Sequence, residues 1–225
     1  MNCDVLARRM VAAFRHGIHK PDPGEVAEFR KIAARAAVIA GVMEGAGYVH
    51  SDRTLEALAR FYMGYGVGIT GGVGTGKTFF FESLISAINE IRGNRDILPW
   101  KEARATVGDI RIEILHLDYF AGNRIGEVYD YLSRLNYVDV VFDDLGVEEE
   151  FNDYGSKFFL LSKILNFRMN CAGRTCWTTN LTGPALAEFY QSDRVIDRLK
   201  ACGGAMITLD GPSRRKPIRR ARVFG

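Results

Sequence analysis

Gly71-Gly72-Val73-Gly74-Thr75-Gly76-Lys77-Thr78 is the stretch that decides the fold. It matches Gly-x-x-x-x-Gly-Lys-Ser/Thr, where glycines let the backbone curl so that successive N–H groups wrap an anion. Val67-Gly68-Ile69 precedes it and Phe79-Phe80-Phe81 follows, so a strand is expected to give way here to a buried helix. That helix would begin at Lys77 and point the positive end of its dipole at the same anion. In such a loop Gly71, Gly72, Val73, Gly74, Thr75 and Gly76 cradle phosphates. Lys77 reaches the β- and γ-phosphates, and the Thr78 hydroxyl ligates Mg²⁺. The expected ligand is ATP with Mg²⁺, since the chain has no Asn-Lys-x-Asp sequence to read guanine. The three phenylalanines read as helix core rather than as a base-stacking site.

Further along, Val138-Asp139-Val140-Val141-Phe142-Asp143-Asp144 is an apolar run ending in two acids. Buried in a sheet beside the phosphate loop, such a strand would bring Asp143 to Mg²⁺ and let Asp144 orient the attacking water. Thr175-Cys176-Trp177-Thr178-Thr179-Asn180 is another strand with a polar end. Asn180 reads as a γ-phosphate or water sensor, or else as the cap of the helix after it. Asp193-Arg194-Val195-Ile196-Asp197-Arg198-Leu199 puts two arginines four apart on one helix face. They read either as a finger reaching a neighbouring subunit's γ-phosphate or as part of a salt-bridged surface helix.

From Phe61 onward strands and helices alternate, the pattern of a parallel α/β sheet. Strands are expected near 64–70, 111–116, 138–143, 174–179 and 205–209. Helices are expected near 77–92, 125–135, 154–169, 183–190 and 192–201, with a loop, alone or with one short helix, over 93–110. Residues 1–50 read as helical, with a second helix starting after Pro21-Asp22-Pro23-Gly24 and running to about Gly45. This segment is either a docking module or an α-helical cover for the main core. Ser51 reads as the N-cap of the next helix.

The 225 residues are 47% apolar and carry a net charge of +3, which excludes global disorder and suits one α/β domain with a modest extra segment. Arg214, Arg215, Lys216, Arg219, Arg220 and Arg222 crowd the end without an acid, so a slightly acidic body carries a basic tail. That tail is either a contact for a phosphate-rich partner or a solvated terminus. Cys3, Cys171, Cys176 and Cys202 form no Cys-x-x-Cys pair, so no disulfide framework is expected. Cys3 with His16 and His19 echoes only half of a zinc site. The start lacks a signal peptide's apolar stretch, and Ala36–Met43 is too short to span a bilayer. A soluble cytoplasmic protein is expected.

The ordered set of motifs resembles the DnaC/IstB-like branch of the AAA+ ATPases. Asp143-Asp144-Leu145-Gly146, Thr178-Thr179-Asn180-Leu181, the Asp193–Leu199 block and Leu209-Asp210-Gly211-Pro212-Ser213 carry the likeness, which spans about residues 50–216. It implies a P-loop AAA+ core with a five-stranded parallel sheet in the order 5-1-4-3-2 and helices on both faces. It also implies ATP at the subunit interfaces of a homo-oligomer. By position Arg198 matches the arginine finger, with Arg194 as the alternative, and Arg215 matches the sensor-2 arginine. Only ten residues follow Arg215, so no helical lid is expected. Many AAA+ proteins have Glu in place of Asp144, which implies slow hydrolysis, and the cysteine-rich zinc module of some loaders is absent.

The division so implied is a helical docking segment over 1–50, an ATPase domain over 51–216 and a basic tail over 217–225. The function implied is that of a DnaC-type helicase loader, binding a replicative hexameric helicase and single-stranded DNA, the latter through Lys216, Arg219, Arg220 and Arg222. Alternatives are an IstB-like transposition helper on duplex DNA, a P-loop small-molecule kinase, and a nucleotide-dependent binding module with negligible turnover.

Overall fold

A computed structural model describes residues 3–17, 20–98, 100–204 and 206–213. Helices α1 (Cys3–Arg15), α2 (Pro23–Gly45) and α3 (Asp52–Tyr62) open the chain. Their starts follow from local chemistry. Asp22 caps α2 by accepting from the Glu25 N–H at 2.8 Å while the Glu25 carboxylate takes the Asp22 N–H at 2.9 Å, and Pro23 occupies the first turn. Ser51 caps α3 in the same reciprocal way with Thr54, as the sequence indicates.

Five parallel strands follow among the remaining helices: β1 (Gly68–Gly71), β2 (Ile112–Leu115), β3 (Asp139–Leu145), β6 (Thr175–Thr179) and β7 (Met206–Leu209). Their spatial order is β2-β3-β6-β1-β7. Numbered within this sheet alone and read from the β7 edge, that is 5-1-4-3-2, the expected order. Strand residues alternate between two cores. Val141, Cys176 and Ile207 face α1, α2, α3 and α4 (Lys77–Gly93), with α5 (Trp100–Val107) beyond. Val140, Phe142 and Trp177 face the other layer. It comprises α6 (Ile125–Arg134), α7 (Leu160–Arg168), α8 (Gly183–Phe189) and α9 (Asp193–Gly203). Helices thus cover both faces of the sheet.

Leu6, Met10 and Phe14 of α1 and Phe29, Ala33 and Ala37 of α2 are buried in the same core as Phe80 and Leu84 of α4. The N-terminal helices therefore share their apolar faces with the helix that follows the glycine-rich loop. Of the three successive phenylalanines, Phe80 and Phe81 are fully buried, whereas Phe79 is 46% exposed; the core reading holds for two of them.

The structure corrects one expected helix. Residues 151–158 form a hairpin of β4 (Phe151–Asp153) and β5 (Ser156–Phe158), and α7 begins only at Leu160, not near 154. Tyr154 and Gly155 occupy the two turn positions with φ of 50° and 86°, and the Asn152 side chain accepts the Gly155 N–H at 3.0 Å. Two successive positive-φ residues make the tight turn that joins twisted strands. An apolar count read at helical spacing passes over such a turn.

At the edge of the sheet opposite the glycine-rich loop, the fully buried Arg168 donates to the carbonyls of Leu135, Val138, Gly173 and Arg174 and to the Thr175 hydroxyl. It ties the end of α7 to the starts of β3 and β6. Beside it Arg174 and Asp139 form a half-buried ion pair. Among the described residues no helix is long and apolar enough to cross a membrane.

Candidate nucleotide site

Strand β1 ends at Gly71 and α4 starts at Lys77, so residues 72–76 form the loop anticipated at the carboxyl edge of a parallel sheet. The loop is tightly constrained by what lies against it. Gly74 has φ 81°, and a Cβ there would stand 2.1 Å from the Ser213 Oγ; a Cβ on Gly71 would stand 2.4 Å from the Leu209 carbonyl oxygen. The segment after β7 therefore lies directly against the loop. Gly76 is the N-cap of α4 and contributes no side-chain acceptor, which leaves the first N–H groups of the helix for an anion.

The Lys77 ammonium, almost completely buried, donates to the carbonyls of Gly71 at 2.9 Å and Gly72 at 3.0 Å and to Asn180 Oδ1 at 2.6 Å. Asn180 in turn donates from Nδ2 to Asp144 Oδ1 at 2.5 Å. Asn180 thus joins the loop lysine to the second acid of β3. The helix cap for which it was the alternative candidate is supplied instead by Thr182, whose hydroxyl accepts the Ala185 N–H.

Asp143 is buried and accepts two hydroxyls, Thr78 at 3.0 Å and Thr178 at 2.6 Å. Thr178 also accepts the Asp144 N–H at 2.9 Å, so one hydroxyl fixes both acids. The Asp144 backbone takes φ 56°, and the β3–β6 register shifts between Phe142 and Leu145. The bulge turns consecutive acids toward the loop that strict alternation would send to opposite faces.

Two neighbours escaped the sequence reading. Thr178 was quoted within its motif without a role; its place two residues before Asn180 at a strand end was the available signal. His116, immediately after β2, brings Nε2 to 3.7 Å from Asp143 Oδ2. Its position at the carboxyl end of a parallel strand was the only hint.

The hard oxygens of Thr78 and Asp143 suit Mg²⁺, which takes one or two protein oxygens and completes its shell with phosphate and water. No group of three or more His, Cys, Asp or Glu could hold a metal among the described residues. For the half zinc pattern, His19 lies outside them. The four cysteines are free, and burial pushes the Cys176 thiol up to about 12, so it serves as core.

Arg194 is exposed and Arg198 half-buried, both on α9. Neither makes a hydrogen bond or ion pair among the described residues. Arg215, Lys216, Arg219, Arg220 and Arg222, and with them the expectation that no helical lid follows, lie outside the described residues.

No protein-family model matches the chain, and no curated protein matches it. Among solved structures, it is similar to a crystal structure of DnaI, at 17% identity and a TM-score of 0.45, over 90% of this chain and 94% of that one. This likeness assigns no residue a role.

Proposed function

We propose that the chain binds ATP with Mg²⁺ and hydrolyses it slowly, as a helicase loader of the DnaC type. One observation carries the nucleotide part of this reading: Lys77, Asn180 and Asp144 form one hydrogen-bonded line across the carboxyl edge of three strands, beside the paired Thr78 and Asp143. In this reading Gly71 to Gly76 wrap the phosphates and Lys77 meets the β- and γ-phosphates. Thr78 and Asp143 hold Mg²⁺. Asp144 orients water, with Asn180 between it and the γ-phosphate. ATP supplies the phosphoryl group, and Mg²⁺ neutralises charge on it. Arg215 would meet the nucleotide from the segment that follows Ser213.

The loader reading rests on the motif resemblance. It assigns α1 and α2 to a replicative hexameric helicase, Arg198 to the nucleotide of a second copy of this chain, and Lys216, Arg219, Arg220 and Arg222 to single-stranded DNA. Because α1 and α2 share the core of the ATPase body, the test uses the whole chain. It is mixed with the hexameric helicase of its host and run on a sizing column with and without ATP and Mg²⁺. An ATP-dependent complex is expected. No complex in either condition sinks the loader reading. ATP-dependent binding to duplex DNA in place of the helicase favours the transposition helper, and phosphoryl transfer to a nucleoside monophosphate favours the kinase.

A further inference from the structure

Glu148 takes no part in the contacts described so far, yet the residue is 7% exposed and its carboxylate is engaged on both sides. One oxygen, Oε2, accepts the N–H groups of Gly146 at 2.7 Å and Val147 at 3.0 Å, closing the turn that ends β3. The other, Oε1, accepts the hydroxyl of Tyr190, itself buried. A buried carboxylate is tolerable only when donors satisfy it, and here three do. Burial first, and the facing Glu148 charge second, push the Tyr190 hydroxyl's pKa up, so the hydroxyl stays a donor.

The two ends of this contact belong to different parts of the candidate site. On one side, Asp144 stands two residues before Gly146 with φ 56°. A non-glycine residue in that region is strained and persists only when its surroundings over-determine it. Thr178 fixes the Asp144 N–H, and Glu148 fixes the N–H groups of Gly146 and Val147 beyond Leu145. On the other side, Tyr190 is the C-cap of α8. Gln191 follows with φ 52°, and Ser192 is the N-cap of α9. The Tyr190 ring is held edge-on by Phe159 and Phe189 at centroid distances of 5.3 and 5.0 Å. One carboxylate therefore joins the turn that aims Asp144 to the root of the arginine-bearing helix.

We propose that Glu148 is a positioning residue for ATP hydrolysis, holding Asp144 in place against the start of α9 through its hydrogen bond to Tyr190. The proposal rests on the ATPase reading above. Glu148 acts through Asp144 and does not touch nucleotide. Turnover depends on it, and nucleotide affinity does not.

The test is a cycle on the full chain with Tyr190→Phe, Asp144→Asn and the double variant. Steady-state hydrolysis is measured together with direct titration of a fluorescent ATP analogue, below the unfolding temperature of each variant. Tyr190→Phe keeps the ring and removes only the bond. It is expected to lower kcat about 10-fold, the scale of a modest misplacement of a reacting group, and to leave affinity within about two-fold. In the Asp144→Asn background the same change is expected to alter kcat by less than about two-fold, because both act through one carboxylate. Unchanged kcat in Tyr190→Phe, a matching loss of affinity, or a full repeat of the loss on Asp144→Asn overturns the positioning role while leaving the ATPase reading intact. Wild-type protein that binds no ATP analogue, or binds it without hydrolysis, overturns the ATPase reading itself, and the positioning role with it.

Discussion

Lys77 and Asn180 stand 103 residues apart in the chain, and their side chains meet at 2.6 Å. The loop lysine is therefore held by the end of β6, next to β1 in the sheet, as well as by the carbonyls of its own loop. On the proposed reading a phosphate entering the loop would compete with Asn180 for the ammonium, and the Asn180 amide also donates to Asp144. If the proposed reading holds, binding at Lys77 and turnover at Asp144 are joined through the one Asn180 amide, and substitutions on either side of it separate them.

Replacing Lys77 with Ala removes the ammonium from the loop. Loss of a charge-assisted contact of this kind costs on the order of 2–3 kcal/mol, or roughly 30- to 150-fold in affinity. Titration of a fluorescent ATP analogue in the presence of Mg²⁺ reads the loss directly. Equal affinity in the variant and the wild type means that the phosphate site is elsewhere.

Asp144→Asn is expected to bind ATP with Mg²⁺ normally, since Thr78 and Asp143 remain paired. Its hydrolysis rate is expected to fall about 100-fold, the range of a lost general base. Asn180→Ala should show a weaker version of the same split, having removed the amide that joins Lys77 to Asp144. Wild-type turnover in Asp144→Asn transfers the role to another group. Glu148 is a poor substitute, being closed off by its own three donors.

Thr178→Val keeps the shape of the side chain and deletes the hydroxyl that serves both acids. The Asp144 N–H then loses its acceptor, at a cost of about 1–3 kcal/mol. Urea unfolding measures the loss of stability, and the Mg²⁺ concentration needed for half-maximal hydrolysis should rise as Asp143 loses a fixed donor. A variant with unaltered stability and unaltered Mg²⁺ dependence contradicts the assignment of this hydroxyl.

Arg198→Ala subunits should bind ATP as the wild type does and fail to stimulate hydrolysis in a neighbour. Mixed with Lys77→Ala subunits, they regain part of the activity, because an intact loop can then meet an intact Arg198. Assembly is followed by light scattering. Mixtures that assemble yet stay inactive at every ratio show that Arg198 has no role across the interface.

Far from the site, Arg168→Met tests the architecture. It leaves four buried or half-buried carbonyls and the Thr175 hydroxyl without their shared donor. With about 1–3 kcal/mol for each acceptor left unsatisfied, a loss of at least ~3 kcal/mol is expected by denaturant unfolding. A loss under ~1 kcal/mol would show that water replaces the guanidinium.

The elements that the sequence determined by itself are those whose signals are local. The glycine-rich octet between an apolar strand and a phenylalanine run located the loop between β1 and α4. Apolar runs ending in Asp143-Asp144 and in Asn180 located two strand ends, and Ser51 located a helix start. Each depends on neighbours a few residues away, where backbone conformation and side-chain chemistry are coupled directly.

Tertiary structure alone decided which strand ends meet. Placing β6 between β1 and β3 is what brings Asn180 onto Lys77 on one side and Asp144 on the other. It also puts the Thr178 hydroxyl between two acids and His116 beside Asp143. It decided as well that α1 and α2 pack into the same core as α4, and that Glu148 reaches Tyr190 across 42 residues. The hairpin at 151–158 is an intermediate case, its turn written in Tyr154-Gly155 and masked by apolar residues that fit either period. The reason is common to all of them. A periodic pattern states which face of an element is apolar, whereas the partner of that face is chosen by packing among all the elements at once.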